Sequence, residues 1–596
     1  MSINRQLILK KFIKQENGAL SIMLTLLLPI FIMGVLILFM GLKKQQTDNR
    51  IRQMALMSSE AYLSKVNSYM WESYKMQSTL DEGGLDQMIR HYITLNHLVA
   101  SPDTLELETS YDSLNNPHLF KKAALAATES IVIDTVAEFS VGLLESWNGL
   151  QHIKKINDQL SDYEKALSAH IDQSELGEML EDLKNIENEV DYSSFVNSIK
   201  VHLNTKKQEW IENCNGYDRI LDQALVTTPV ESSIEAYIES KRRQTALMKA
   251  EFQLLSSSIS EGLDKLLDTL NDQTDDDTLE SYRSTVIDQM LSQFGLDETI
   301  KSAQGFLGRL KRQMAELELT LSGLEVGDGK LDLESGKNKP YDFSGYKREA
   351  FASKILLNEY YLMVLSSYDQ RCPRKLSVGN RPEIVRTLKG EIEFLISGEA
   401  EEKTSVSEVR IKIMGIRTLA NLVAFMSDAE RINQLSVMTS AFPQPWGALA
   451  FGTAVTAWCT VESYGDTNAL FKGKAIPLIK STNQWRTTLS GSSENAMFKL
   501  SGDDQETEIE NSSTNVFDLY YLDYLRLLLM LQNEETSTAR AMQLIDHEIK
   551  KTSKDAYSLK DFSIGHRVNL KWKHNTMPVL NDQDESGFKF SNGQYQ

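Results

Sequence analysis

Nine histidines and three cysteines are the residues that could ligate a metal or act as acid, base or nucleophile near neutral pH. Cys214, Cys372 and Cys459 lie far apart and form no CxxC pair. Neither a zinc site nor a disulfide framework is implied, and each reads as an isolated buried thiol. No HExxH or other histidine pair falls on one helix face. His547 stands between Asp546 and Glu548, and neighbours one apart diverge on a helix, so the trio reads as solvated surface. The nearest text to a phosphate loop is Gly473-Lys474. There Ala475 replaces the Ser or Thr that would hold magnesium, and no Gly stands five residues before Gly473. Asp582, Asp584, Ser586 and Gly587 fit the first, third, fifth and sixth positions of a calcium loop. Its twelfth position is Gly593, where a bidentate Glu is required. Asp275, Asp276 and Asp277 lack a Gly turn and a closing Glu and read as a helix-start or linker charge run. No Ser, Cys and His set reads as a triad. The expectation is therefore no catalytic, cofactor-binding or metal-binding residue, and a non-enzymatic chain.

Net charge narrows the partners. At −20 the chain lacks the basic surface that displaces counterions from nucleic acid, so no nucleic-acid partner is expected. The same charge opposes a body lying flat on anionic lipid. With 596 residues the chain exceeds one ordinary core, and scarce Pro with plentiful Leu, Glu and Lys favours helix.

The most informative element is residues 19–42, ALSIMLTLLLPIFIMGVLILFMGL, which begin at Ala19 and end at Leu42 without one ionisable group. As a helix the run is about 36 Å long, enough for a bilayer core with some tilt. Pro29 removes one backbone hydrogen bond and can kink it. A cleaved signal has a shorter apolar centre and a small-residue cleavage site, and a buried core helix rarely lacks charge over such a length. A transmembrane anchor in the lipid bilayer is the reading. Arg5, Lys10, Lys11 and Lys14 precede it and Lys43, Lys44, Arg50 and Arg52 follow, so the positive-inside rule does not orient it.

Gly18 and Pro29 stand eleven residues apart behind that short basic tail. In this the start of the chain resembles TadE/TadG-like proteins of Tad (Flp) pilus systems. Those proteins usually have Glu five residues after the Gly, where this chain has Met23. The departure counts against cleavage at Gly18 and against a polymerising pilin. Stretches further on resemble, in the same order, an uncharacterised family of Firmicutes membrane proteins with such starts, catalogued as a domain of unknown function. They are SLNNPHLFKKAALAA from Ser113, LLNEYYLMVLSSYD from Leu356, GEIEFLISG from Gly390, KGKAIPLIKSTNQW from Lys472 and YLDYLRLLLMLQ from Tyr521. The resemblance implies an N-in anchor in a bacterial cytoplasmic membrane and an extracellular body. It also implies protein partners in a pilus or secretion assembly, with Gly18 as a prepilin-type processing point.

The body is expected to be mainly α, with an elongated helical-hairpin or coiled-coil lobe and a small membrane-proximal β-sheet. The anchor helix is expected to continue as a stalk to about Met76. TLELETSY from Thr104 alternates as a strand, as does VNLKWKHN from Val568, and the two could pair. Asn116-Pro117 marks a turn before a helix reaching about Trp147. Stripes at spacings of three and four run through Ile153, Ile156, Leu160, Tyr163 and Leu167. Others run through Leu176, Leu180, Leu183, Ile186 and Val190, and through Leu310, Met314, Leu317, Leu321 and Leu324. The uncharged segment 445–461 reads as a buried helix packed through small residues, with a second span as its alternative. The division expected is 1–17 basic tail, 18–42 anchor, 43–147 stalk and α/β segment, 148–325 lobe, 326–345 linker, 346–580 helical domain and 581–596 flexible tail. A polar loop is expected over about 489–515. The function expected is a membrane-anchored structural or assembly protein of a Tad-like pilus, secretion or cell-surface system. A membrane-tethered sensory or ligand-binding ectodomain is the alternative. Oligomeric state is not legible.

Overall fold

A computed structural model describes residues 17–593 except 81–83, 100–103, 130–133, 171–172, 187–188, 228–231, 272–275, 294–298, 323–328, 332–340, 345, 347–350, 377–385, 441, 443–445, 491–496, 501–517, 553–556 and 574–584. Helix dominates. The first described helix, α1 (Asn17–Leu63), runs unbroken through Pro29 and past the apolar run. From Met23 to Leu42 every side chain is exposed, and among the described residues this is the one helix long and apolar enough to cross a membrane. Further on, Ile51, Ala55 and Tyr62, spaced by four and seven, turn one stripe inward. The stalk ends at Leu63, earlier than Met76. Asn67 then caps a separate short helix, α2 (Ser68–Tyr74), by accepting the Met70 N–H at 3.1 Å.

Strand β1 (Thr79–Leu80), helix α3 (Gly84–Leu95) and strand β2 (Leu105–Ser113) follow. Leu85, Ile89 and Ile93 form the buried stripe of α3. The expected helix from Pro117 is divided into α4 (Pro117–Glu129) and α5 (Asp134–His170). Next come α6 (Gln173–Lys184), α7 (Glu189–Thr227), α8 (Ser232–Asn271), α9 (Asp276–Gln293) and α10 (Thr299–Ser322). The helical body adds α11 (Phe351–Val364), α12 (Glu391–Ser397), α13 (Glu402–Met426), α14 (Ala429–Thr439) and α15 (Trp446–Phe471). Short strands β3 (Ile476–Pro477), β4 (Thr487–Ser490), β5 (Met497–Leu500) and β6 (Asp518–Leu519) precede α16 (Tyr521–Leu531) and α17 (Glu534–Thr552). The described chain closes with β7 (Phe562–Lys573) and β8 (Glu585–Gly593).

The two strands read from the sequence pair: β2 runs antiparallel to β7 with Leu105 opposite Trp572. The opposite edge of β7 takes β1 and β8, so β7 is central. β8 corrects the flexible tail expected from residue 581. Phe588 and Phe590 alternate with polar residues and pack against the same core as α1 and α3. A hairpin of β4 and β5 likewise occupies part of the expected polar loop. Part of the expected linker is pinned, because Lys330 bridges to Glu401 and Leu331 is buried.

The lobe is an antiparallel hairpin of α7 and α8. Lys200 pairs with Asp264, Lys249 donates to Asn215 at 2.8 Å and Arg242 pairs with Asp222, a register that only opposed helices give. Leu180 and Leu183 of α6, with Ile287 and Met290 of α9, complete its core. Of the expected stripes, Leu180, Leu183 and Leu310 are buried, and Ile186, Met314 and Leu317 are half-buried. The side chains at 153, 156, 160, 163, 167, 176, 190, 321 and 324 lie outside the described residues. Segment 446–461 is a buried helix, not a second span. Its Ala450, Ala454 and Ala457 are fully buried within the main core, where α15 packs on α13 and α10.

Candidate functional site

Two places in the fold concentrate polar groups on fixed elements: the joint between α1 and the sheet, and a set of buried charges in the body. At the joint, Trp572 Nε1 donates to Asp48 Oδ1 at 2.8 Å, and Ser586 Oγ donates to Asp48 Oδ2 at 3.4 Å. Three turns further along α1, Ser59 Oγ lies 2.6 Å from His566 Nε2 and accepts from Asn592 Nδ2 at 3.0 Å. Burial pushes the His566 imidazole down to about 4, so the ring that shares a hydrogen bond with the Ser59 hydroxyl is neutral near neutral pH. The Tyr62 hydroxyl donates to the Leu80 carbonyl at 3.1 Å, and Arg52 lies over the Phe588 ring. Thus α1 is tied along its stalk to strands from both ends of the chain.

In the body, Arg417 of α13 donates from Nη2 to Asp466 of α15 at 2.7 Å and from Nη1 to the Pro477 and Leu478 carbonyls at 2.8 and 2.9 Å. Asn421, one turn on, donates to Ser463 at 3.0 Å and to Asp466 at 3.1 Å. Lys480 bridges Asp466 and Glu462. Glu462 also accepts from the backbone of Arg486 and Thr487. Arg417, Asn421, Glu462 and Asp466 are wholly buried. Burial favours the protonated form of Asp466, but Arg417 and Lys480 outweigh it and hold the carboxyl below its ordinary range. A second set joins Arg526 to Glu359 and, at 2.6 Å, to Asp523, which also takes Arg374. On α12, Glu391 pairs with Arg386, while Glu393 Oε1 accepts from Tyr521 at 2.7 Å and from the Tyr368 N–H at 2.9 Å. Burial pushes Glu393 up to about 7. The Arg417 and Arg526 charges are met by carboxylates inside the fold, which fixes the relative placement of helices.

Among the described residues, the cysteines and histidines that could do chemistry lie apart from one another. Burial raises all three thiols, Cys214 and Cys372 to about 11, which leaves them protonated near neutral pH. Among the described residues no group of three His, Cys, Asp or Glu side chains could hold a metal. The surface reading at His547 needs correction: Asp546 and Glu548 are buried and accept the Leu559 and Thr387 N–H groups at 2.8 and 2.9 Å. Gly473 ends α15 at φ +78°, against the Arg371 guanidinium. Ser586 and Gly587 belong to β8, while Asp582 and Asp584 lie outside the described residues. Asp276 and Asp277 open α9, and Asp275 lies outside the described residues. Gly18, Ala19, Pro29 and Leu42 all lie within α1, as does Asn17 at the end of the basic tail expected over 1–17, whose residues 1–16 lie outside the described residues. An open groove of about 540 Å³ on the lobe is lined by Met179, Ser194, Asn197, Val201, His202 and Thr205 among others, far in sequence from the buried charges.

No curated protein and no solved structure matches the chain. Residues 299–574, from the start of α10 through β7 and with them the buried charge sets, match a family described as a family of unknown function, DUF5702.

Proposed function

We propose that this chain is a membrane-anchored structural or assembly protein rather than an enzyme, with its body on the outer face of a bacterial cytoplasmic membrane. The observation that carries the reading is α1. Its apolar half is exposed from Met23 to Leu42, and its polar half is locked to the sheet without an intervening hinge. Exposed apolar surface on that scale is stable in lipid and costly in water. A rigid joint transmits position and load from the bilayer to the body, as a mechanical or docking role requires. The likeness of the first residues to TadE/TadG-like proteins supports a pilus or secretion setting, with partners drawn from that assembly.

The first test is extraction. The full chain is expected in the membrane fraction, released by detergent and not by alkaline carbonate, whereas a chain lacking residues 1–42 is expected in the soluble fraction. Topology reporters near residues 200 and 560 are both expected outside. A full chain recovered soluble and monomeric without detergent would remove the reading. Co-purification with pilus or secretion components after mild solubilisation tests the setting, and recovery of the protein alone would count against it.

A further inference from the structure

We propose that the lower rim of the sheet unit rests on the headgroups of the bilayer that holds α1, so that the chain meets lipid through a second surface as well as its anchor. This rim comprises Tyr92 and Leu95 at the end of α3 and the membrane-side ends of β7 and β8. The inference rests on the anchor reading and adds to it. Because α1 is continuous, the height of each stalk residue above Leu42 follows from the helical rise. Asp48 is six residues on, about 9 Å along the axis. Trp572 and Ser586 both bond to Asp48, so the end of β7 and the start of β8 lie at that height. His566 bonds higher up, at Ser59, so β7 descends as α1 rises, and Lys573 reaches one residue lower still. Headgroups extend about 5–7 Å beyond the hydrocarbon on each side.

Helix α3 descends beside them. Gly84 faces Tyr62, and Ile89 and Ile93 share a core with Ile51 and Ala55, so α3 runs antiparallel to the stalk. Eleven residues below Gly84, about 16 Å, Leu95 comes to roughly the level of Ile51. The apolar run, about 36 Å long, exceeds a hydrocarbon core of about 30 Å, an excess that a tilted helix absorbs. Both α3 and the sheet pack on one stripe of α1, so a tilt toward that side lowers the rim into the headgroups. The side chains there suit that depth. Leu95 is 62% exposed and Tyr92 42%, and tyrosine gains most at the membrane–water boundary. Lys571 and Arg52 offer long apolar stems ending in charge. Of the acids there, Asp48 accepts from Trp572 and Glu106 pairs with Lys571 at 3.7 Å.

The test uses the full chain at one copy per lipid nanodisc of mixed phosphatidylcholine and phosphatidylglycerol. A photo-reactive phenylalanine analogue replaces Leu95 in one sample, Tyr92 in a second and Leu254 of α8, 71% exposed, in a third. Phospholipid adducts are expected at Leu95 and Tyr92 and absent at Leu254. Equal lipid adducts at all three positions, or adducts to protein alone at Leu95 and Tyr92, would overturn the inference. Chains that enter discs without lipid adducts at Leu95 and Tyr92 overturn it while leaving the anchor intact. Chains that fail to enter discs remove the anchor reading, and this inference with it.

Discussion

Asp466 accepts from Arg417 and Asn421 and pairs with Lys480, all inside the fold. Asp466→Ala strips two buried cations of a shared partner and should cost about 3–5 kcal/mol. The loss would appear as a lower urea midpoint for the detergent-solubilised chain, with membrane extraction unchanged. Two other residues set opposite pH limits. Glu393, raised to about 7, holds its proton in the folded chain after the unfolded chain has lost it. Its stabilisation is complete below the ordinary carboxyl range and is lost as pH rises through about 7. His566, lowered to about 4, refuses a proton that the unfolded chain accepts near about 6.5, so stability falls as pH drops from there toward about 4. Between about pH 4.5 and 6.5 the two slopes oppose each other, so together they should leave urea midpoints nearly level there. Glu393→Gln is expected to leave a midpoint that rises with pH across this window and His566→Gln one that falls. A His566 variant whose midpoint does not fall across it would show that this ring does not govern the balance.

At the scale of elements, β8 binds β7 along nine register pairs and brings Phe588 and Phe590 to the core shared with α1. Ending the chain after Lys573 should cost roughly 2–3 kcal/mol from the two half-buried rings. Hydrogen exchange should then quicken in β7 and β2 while α13 and α15 stay protected. Equal quickening throughout would show that the sheet and the body open as one unit. The pairing of β2 with β7 was legible because Leu105 and Leu107 alternate as Val568, Leu570 and Trp572 do, and each strand buries one face. The alternation in β8 exists too, but Asn, Asp, Ser and Gly flank it and weaken the strand signal. The buried charges were harder to read. Glu462 and Asp466 stand four apart near the end of an otherwise uncharged helix, a spacing that places both on one face. Their cations come from α13 and from Lys480, so the site exists only once the chain folds. The same reason hid Asp48, Ser59 and His566, which look like ordinary surface residues until α1 meets β7.

At the scale of the molecule, three cores among the described residues divide the labour. The largest joins α2, α4, α10, the helical body and the start of β7, a second fills the lobe, and a third binds the stalk to the sheet. The main core reaches into the lobe at Tyr217, Leu221 and Ile238, so the α7–α8 hairpin is rooted in the body. Mainly helical character and an exposed N-terminal apolar helix follow from composition and one uninterrupted run. Which charges are buried, and which distant segments meet, follow from topology alone.

Asp48 and Ser586 are separated by 538 positions, yet they share one contact next to the apolar run. A described helix near one end of the numbering is therefore clasped by a strand near the other. A prematurely terminated polypeptide would keep its hydrophobic leash but lack the clasp that stiffens it. On the anchoring proposed above, a copy without that clasp could not pass a pull from the bilayer to the body.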